Sequence, residues 1–494
     1  MPHSRDEPLG PDVIRIAIVV IAGAFMSILD TTIVNVALYD LGISFKEGVD
    51  SIQWIVTGYM LAMAAVIPLS GWIALRVGPK RVFIVSAVLF TLSSLLCAMA
   101  WSLPSLIAFR VLQGVGGGLL MPVGQMMLAQ AAGPKRVGRV MSLVAIPMLI
   151  APVLGPMLGG FLVDGPGWEW IFLVNLPVGI AAVILAVKLL KPDTRGQAWK
   201  FDPLGVALMA VGVPAITYGL AETGSAGTIS TPKAWAPIIV GASLTTLYVL
   251  YALRRERPLL NVRLFQNRGF SAASVTAFAL GATLFGGMIL LPMYEQGPRM
   301  ESAMMTGLLL APQGLGAAIG APIAGRLTDR HGGGIVAIVG LILLTIATVP
   351  FTMLSATTPQ WLIMLALLFR GMGIGASMMP AFAAAYAALD RSQIPDATSQ
   401  LNVVQRVGGS LGSAVLAVIL GRRLAEIGGG TSANPQPGAT IPLPVREKMA
   451  DAYAYTHWWV LVLGMIALLP ATVLFRVERA ARAERLAALS SHTD

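Results

Sequence analysis

Residues 13–38 read VIRIAIVVIAGAFMSILDTTIVNVAL, an apolar run long enough to cross a lipid bilayer as one helix. A membrane-spanning helix needs about 20 apolar residues. The only acidic residue in this run is Asp30, which stands well away from either end. A carboxylate inside the membrane is costly and is a functional-site hypothesis by default. The stretch therefore predicts a membrane protein with an ionisable group at depth.

Further apolar runs follow along the chain and bring the total to about fourteen by the length rule. Backbone polar groups in lipid must be satisfied within each segment, so each run is predicted to be a helix. The runs after the first lie near 51–74, 82–101, 104–130, 139–163, 170–190, 203–221, 235–253, 270–294, 304–325, 334–355, 361–388, 401–421 and 457–475.

Composition agrees with a chain that meets lipid. Apolar residues make up 56% of the 494 residues and charged residues 12%, whereas a soluble protein carries about 25% charged residues. The net charge of +10 sits in short clusters between the apolar runs, which is typical of membrane topology and not of a nucleic-acid surface. Cys97 is the single cysteine, which excludes a disulfide within the chain.

The basic clusters also predict an orientation. With the N-terminus in the cytoplasm, cytoplasmic segments hold roughly 24 of the 34 Lys and Arg residues and the opposite segments about seven. Successive segments between the spans are alternately rich and poor in Lys and Arg. A wrong number of spans would distribute the basic residues over both sides of the membrane, so the pattern supports the span count and predicts that both termini are cytoplasmic. The longest outer segment, 423–456, is rich in Gly, Pro and Ala and is predicted to be flexible. The tail 476–489 is predicted to be a basic helix.

Two short patterns recur and indicate an internal repeat. Residues 110–116 resemble 370–375, and residues 71–78 resemble 325–332. Internal repeats around a central cavity are a transporter architecture. The predicted domains are a six-helix N-terminal half (1–195), two additional transmembrane helices with linkers (196–260), a six-helix C-terminal half (261–480) and a cytoplasmic tail (481–494).

Arg110 is the expected partner of Asp30. At 1.5 Å per residue, Arg110 lies roughly 9–10 Å and Asp30 roughly 15 Å below the outer face, so contact is feasible. One interpretation is that Asp30 carries a proton across, and that substrate or a conformational change alters its coupling to Arg110. The other is a static ion pair. In the second half, Glu295 is expected to pair with Arg370, which has the matching depth, or with Arg299.

The fifth run contains prolines and glycines at 151–160. Proline bends a helix and glycine lets a neighbouring helix approach closely. The segment is interpreted either as a pliable gate or as a plain packing kink.

Together these patterns resemble the major facilitator superfamily, specifically the fourteen-span drug:proton antiporters of the EmrB/QacA type, over essentially the whole chain. Residues 29–38 are similar to that group's first-span signature, and 110–116 to the family's fourth-span motif. Residues 155–160 resemble the antiporter motif, and 168–179 and 402–409 also resemble this subgroup. One departure is Leu75, which stands where the family's cytoplasmic loop usually has Asp.

The resemblance implies two six-helix halves plus two extra central helices, with the halves rocking about a cavity lined by spans one, four, nine and twelve. It implies proton coupling at Asp30 and Arg110. It assigns Gly155, Pro156, Gly159 and Gly160 to the antiporter motif, and Gly71, Arg76, Gly78, Lys80, Arg81, Asp329 and Arg330 to a cytoplasmic gating loop. Candidate cavity residues are Phe25, Met26, Asn35, Gln113, Met121, Gln125, Met288, Glu295, Arg370 and Met378. Methionine surfaces adapt to varied ligands, although ordinary helix contacts would use the same residues.

The expected function is proton-coupled export of multiple drugs or hydrophobic compounds by alternating access. The alternative is a dedicated exporter of an endogenous lipid, metabolite or siderophore, either alone or as the inner-membrane part of a tripartite pump with a periplasmic adaptor protein. Neither needs a cofactor, since the proton gradient supplies energy. The expected partners are small hydrophobic or cationic substrates and the bilayer, with no nucleic acid, and the expected location is the bacterial plasma (inner) membrane. The chain shows no cluster of catalytic groups at depth, so an enzyme is not expected.

Overall fold

The computed structural model describes residues 10–133, 136–193, 201–427 and 441–490. All regular elements in these ranges are helices, and thirteen of them are long and apolar enough to cross a membrane. Another helix, Val137–Asp164, contains 28 residues. These helices correspond to the predicted runs, which confirms the prediction of an all-α membrane protein.

The long helices are numbered here in chain order. They are α1 (Pro11–Phe45), α2 (Trp54–Val77), α3 (Pro79–Ala98), α4 (Leu103–Ala132), α5 (Val137–Asp164), α6 (Trp170–Leu189), α7 (Pro203–Ala226), α8 (Pro232–Leu253), α9 (Arg268–Gln296), α10 (Ala303–His331), α11 (Gly333–Met353), α12 (Gln360–Ala387), α13 (Ile394–Glu426) and α14 (Leu443–Ser490).

The two halves share a turn that follows the second helix of each. Gly78 and Gly332 both have positive φ, 101° and 104°. After Gly78, the backbone amides of Lys80 and Arg81 donate to the carboxylate of Asp193 at 3.0 Å. After Gly332, the amides of the next two glycines donate to Glu478 at 3.0 and 2.7 Å. Asp193 follows α6, and Glu478 lies in the last third of α14. In each half, a carboxylate from the sixth helix or just beyond it thus satisfies amides at the start of the third, so the sequence repeat is also a structural one.

Replacing Gly78 with Ala is expected to destabilise the protein by about 1–3 kcal/mol. The φ of 101° disfavours an L side chain, and a Cβ there would collide with the Asp193 carboxylate. Thermal unfolding in detergent measures the change. Gly160→Ala is the matched control, because a Cβ at Gly160 meets no described atom within 4 Å. Equal melting temperatures for the two variants would contradict this account of the turn.

The halves meet along two seams. Helix α5 packs against α10, and α2 packs against α13. The inserted helix α7 packs on α8 and also against α2 and α13. Helix α8 is the more exposed of the pair: 17% of its most apolar 18-residue stretch is buried, compared with 39% in α7. The insertion therefore lies beside the α2–α13 seam, with α7 in contact with both halves.

The prediction of a flexible loop over 423–456 is wrong at both of its ends. Helix α13 continues to Glu426, and α14 begins at Leu443; the remaining stretch, 428–440, lies outside the described residues. The start of α14 is amphipathic, with Met449 and Tyr453 buried and Arg446 donating to the carbonyl of Pro298 at 2.5 Å. A rule that looks for unbroken apolar runs misses such a segment. The helix predicted for 476–489 is confirmed as the end of α14.

Candidate functional site

Asp30 lies in the middle of α1 and is completely buried. Arg110 Nη1 of α4 donates to Asp30 Oδ2 at 2.6 Å. Gln113 Nε2 and Asn175 Nδ2 each donate to Asp30 Oδ1 at 2.9 Å. Both carboxylate oxygens are thus matched by donors from α4 and α6, and the structure brings together the two residues that the sequence predicted to be partners.

Arg110 makes further contacts within the N-terminal half. Its Nε donates to the carbonyl of Ile55 at 3.3 Å, and its Nη1 to Gln113 Oε1 at 2.8 Å. The guanidinium carbon lies 4.1 Å from the centre of the Tyr59 ring. Contacts of this kind stabilise a cation in a dry environment. The arginine is therefore held by α2 as well as by α1.

A second layer of polar groups orients Asn175. Its Nδ2 also donates to Ser94 Oγ at 3.1 Å, and Ser94 donates to the carbonyl of Phe172 at 2.9 Å. The sequence did not assign Asn175 or Ser94 to the site. The available signal was the stretch 168–179, which contains Asn175 and resembles the transporter subgroup. Helices α1, α3, α4 and α6 therefore converge on one carboxylate.

A proton on Asp30 would change the charge balance of this network. Asp30 and Arg110 are 0% and 1% exposed, and a charge buried at this level needs a counter-charge. Protonation of Asp30 would remove the negative charge that balances Arg110. It would also leave Arg110, Gln113 and Asn175 with one hydrogen-bond acceptor fewer. The network would then have to rearrange or admit water. The arrangement is chemically suited to couple proton binding to movement of α1 relative to α4.

Helix α1 packs tightly on the glycines of α5. Thr32 Oγ1 donates to the carbonyl of Ala151 at 3.4 Å. A Cβ at Gly155 would collide with Thr32, and one at Gly159 would lie 3.1 Å from Ile33 Cγ1. Gly160 makes no comparable approach, and the side chain of Pro156 lies outside the described residues. The antiporter-motif glycines Gly155 and Gly159 thus form a close seam two residues beyond Asp30.

The halves touch at the end of the bundle that carries the turns at 76–81 and 329–333, here called the basic end. Asp329 accepts hydrogen bonds from the amide of Gly138 at 3.0 Å and from Arg139 Nε at 2.9 Å. Across the second seam, Ser399 Oγ bonds Ser70 Oγ at 2.7 Å and the amide of Gly71 at 2.8 Å. Asn402 donates to Gln125 at 2.8 Å. Among the described residues, these bonds close the basic end.

The two seams differ in charge at equivalent positions. Asp329 forms an ion pair on the α5–α10 seam, whereas its sequence equivalent in the first half is Leu75 and the α2–α13 seam is joined by serine hydroxyls. The basic residues of the first loop contact their own half. Lys80 Nζ donates to the carbonyls of Leu190 and Val187 at 2.6 and 3.1 Å, and Arg76 lies over the Trp72 ring at 5.4 Å. Arg81 is exposed, and Arg330 has a partner of its own.

Replacing Asp329 with Asn is expected to loosen the basic end. The change removes the ion pair with Arg139 and weakens the hydrogen bond at the start of α5, where a negative charge is favourable. The measurement is the maleimide labelling rate of an introduced Ala74→Cys, which is buried one turn beyond Gly71, in a Cys97→Ser background. The rate should rise several-fold. Asp390→Asn is the control at the same end, and an equal rise there would contradict the prediction.

The candidate cavity residues divide into three groups. Phe25, Met121 and Met288 are partly exposed, and Asn35 is exposed. Met26 lies in the hydrophobic core, and Gln113 belongs to the Asp30 network instead of a cavity wall. Gln125 and Met378 are bonded to side chains of α13, Met378 through Gln405 Nε2 at 3.2 Å.

The two charged candidates of the second half do not meet. Glu295 pairs with Arg299 at 3.0 Å, one turn along the same helix. Arg370 is 1% exposed; its Nη1 reaches Gln313 Oε1 at 3.4 Å, and its Nε and Nη2 have no acceptor among the described residues. Of the two partners predicted for Glu295, the structure therefore has Arg299.

Sequence comparison identifies the family. The model for the Major Facilitator Superfamily matches residues 20–413. The multidrug resistance protein B homolog of Mycobacterium tuberculosis is 41% identical over 421 residues, which are 85% of this chain and 78% of that protein. The putative multidrug resistance protein MdtD of Serratia proteamaculans is 34% identical over 410 residues, which are 82% and 84% of the two chains.

A solved structure supports the same fold. The proton:xylose symporter XylE aligns with a TM-score of 0.62 over 92% of this chain and 94% of that one, at 14% identity. At this identity the likeness shows the fold alone. The chain folds as an all-helical bundle, and the family model matches most of its length. The chain therefore belongs to the Major Facilitator Superfamily of membrane transporters.

Proposed function

We propose that this transporter exports small hydrophobic compounds in exchange for protons, by alternating access. The observation that carries the proposal is the buried Asp30, which faces donors from Arg110, Gln113 and Asn175 at 2.6–2.9 Å. Relatives at 34–41% identity are named for multidrug resistance, which supports export of varied compounds. The alternation of basic clusters supports cytoplasmic termini, and the bacterial origin of these relatives supports the plasma membrane of a bacterium.

The closed basic end supports an alternating cycle. If that end faces the cytoplasm, the contacts of Asp329, Ser399 and Asn402 seal the cytoplasmic side. Together these contacts are a few hydrogen bonds and a single ion pair, the one between Arg139 and Asp329. A transporter needs such seals to break and form in every cycle.

A continuous path links Asp30 to this seal. Thr32 follows Asp30 by two residues and packs on Gly155 of α5. The N-terminus of the same helix carries Gly138 and Arg139, which hold Asp329. The distance from 155 to 139 along α5 is about 24 Å. In our proposal, a change in the protonation of Asp30 moves α1 against α5, and α5, which is one continuous helix from Val137 to Asp164, transmits the movement to the basic end.

Proteoliposomes with an imposed pH gradient test the function. Purified protein should accumulate cationic dyes or lysolipids against their gradient when the opposite compartment supplies protons. Collapsing the proton gradient with an ionophore should abolish the accumulation. Accumulation that is indifferent to the ionophore, or absent with every hydrophobic cargo tried, would refute the proposal.

A further inference from the structure

Arg406 lies on α13 at the surface where the two halves face each other. Its Nη2 contacts Met63 Sδ of α2 at 3.7 Å, and the side chain is only partly buried. Arg406 lies about 18 Å along α13 from Ile394, so it is deep in the membrane. None of the ion pairs found among the described residues includes it. The structure therefore presents a cation at the centre of the transporter without a carboxylate partner.

The other intramembrane charges do not supply a counter-charge. Asp30 is bonded to Arg110, and Glu295 forms an ion pair with Arg299. The buried Asp396 lies on α13 itself, but about 15 Å from Arg406 along the helix. Arg370 also lacks a carboxylate partner among the described residues. Arginines thus outnumber the carboxylates available to balance them in the described interior of the bundle. An uncompensated charge in this environment is unfavourable, and a bound anion would relieve it.

The surroundings of Arg406 suit one end of an amphiphile. Met63 supplies an adaptable apolar surface next to the guanidinium. The bond between Asn402 and Gln125 lies one helical turn nearer the basic end. When the contacts at that end open, Arg406 is the first charged side chain of α13 beyond this bond. Arginine presents a planar set of donors that matches a carboxylate.

We propose that Arg406 binds the anionic group, a carboxylate or a chemically similar monoanion, of an amphiphilic cargo whose apolar part packs on Met63. This inference rests on the proposed export function and narrows its substrate class. Inorganic chloride shares the charge of such a group but lacks the apolar part, so the experiment separates the two.

The test compares dansyl-labelled undecanoic acid with its primary amide, by fluorescence titration of the full-length protein in nanodiscs. Wild type should bind the acid about tenfold more tightly than the amide, the difference that one charged hydrogen-bonded contact makes. Arg406→Gln should bind both equally, while Arg406→Lys keeps part of the preference. Arg423→Gln is the matched control, because Arg423 lies on the same helix, has a side chain that is 41% exposed and pairs with Glu426 at 2.9 Å. The titrations are repeated with gluconate in place of chloride.

The outcomes separate this inference from the proposed function. A preference for the acid that persists in Arg406→Gln, or is absent from wild type, overturns it. So does binding of chloride at Arg406 with no preference for the acid in either buffer. In proteoliposomes, proton-driven export of both probes at equal rates by wild type and Arg406→Gln refutes the anion site alone. Failure of wild type to export either probe or the cationic dyes refutes the export function itself.

Discussion

Asp30→Asn is expected to reduce proton-driven accumulation of cargo to that of protein-free liposomes. Asparagine preserves the size of the side chain but cannot bind and release a proton. Energy-independent exchange of cargo across the membrane should persist, because it does not require a proton to be carried. The measurement is accumulation under an imposed pH gradient, together with counterflow at equal pH on both sides.

Two controls make this result interpretable. Asp40→Asn lies on the same helix near its outer end and should accumulate cargo like wild type. Counterflow by Asp30→Asn reports that the variant is folded, since its neutral residue leaves Arg110 uncompensated. Gradient-driven accumulation by Asp30→Asn at the wild-type rate would mean that the proton travels elsewhere.

Arg110→Gln is expected to lower the free energy of unfolding by about 3–5 kcal/mol, because the buried Asp30 loses its counter-charge. Asp30→Asn combined with Arg110→Gln should recover most of this stability, since neither partner is then left charged. Transport should be absent from both variants. Unfolding in mixed micelles gives the stability, and the liposome assay gives transport.

This cycle decides between the two interpretations of the ion pair. A pair that only holds the helices together predicts that the neutral double variant regains proton-driven transport along with its stability. A pair that carries the proton predicts stability without transport. Additive losses of stability in the double variant would contradict the direct coupling that the 2.6 Å contact indicates.

The helices and the central ion pair could be predicted because both follow from one-dimensional signals. Length and hydropathy mark a span, and depth along two spans placed Asp30 beside Arg110. The partners Asn175 and Ser94 could not be found in this way, since neutral polar residues occur in many spans without a charge to mark them. The early start of α14 was missed because its first turns are amphipathic.

Contacts between the halves depend on three-dimensional packing that the sequence does not display. Asp329 was predicted to belong to the gate, but its partners Gly138 and Arg139 are about 190 residues away in sequence. Ser399 bonds to Ser70 and Gly71 across the α2–α13 seam, but it belongs to no sequence motif from which this contact could be predicted. Arg406 was visible as a charge inside a span, while its lack of a carboxylate partner became apparent only from the arrangement of the helices.

The most direct test of the central claim is the release of protons when cargo binds. Purified transporter in a weakly buffered detergent solution is mixed with a saturating hydrophobic cargo in the presence of a pH-sensitive dye. Wild type should acidify the solution, and Asp30→Asn should not, although both bind the cargo. Equal acidification by the two proteins would contradict the assignment of Asp30 as the residue that exchanges a proton for cargo.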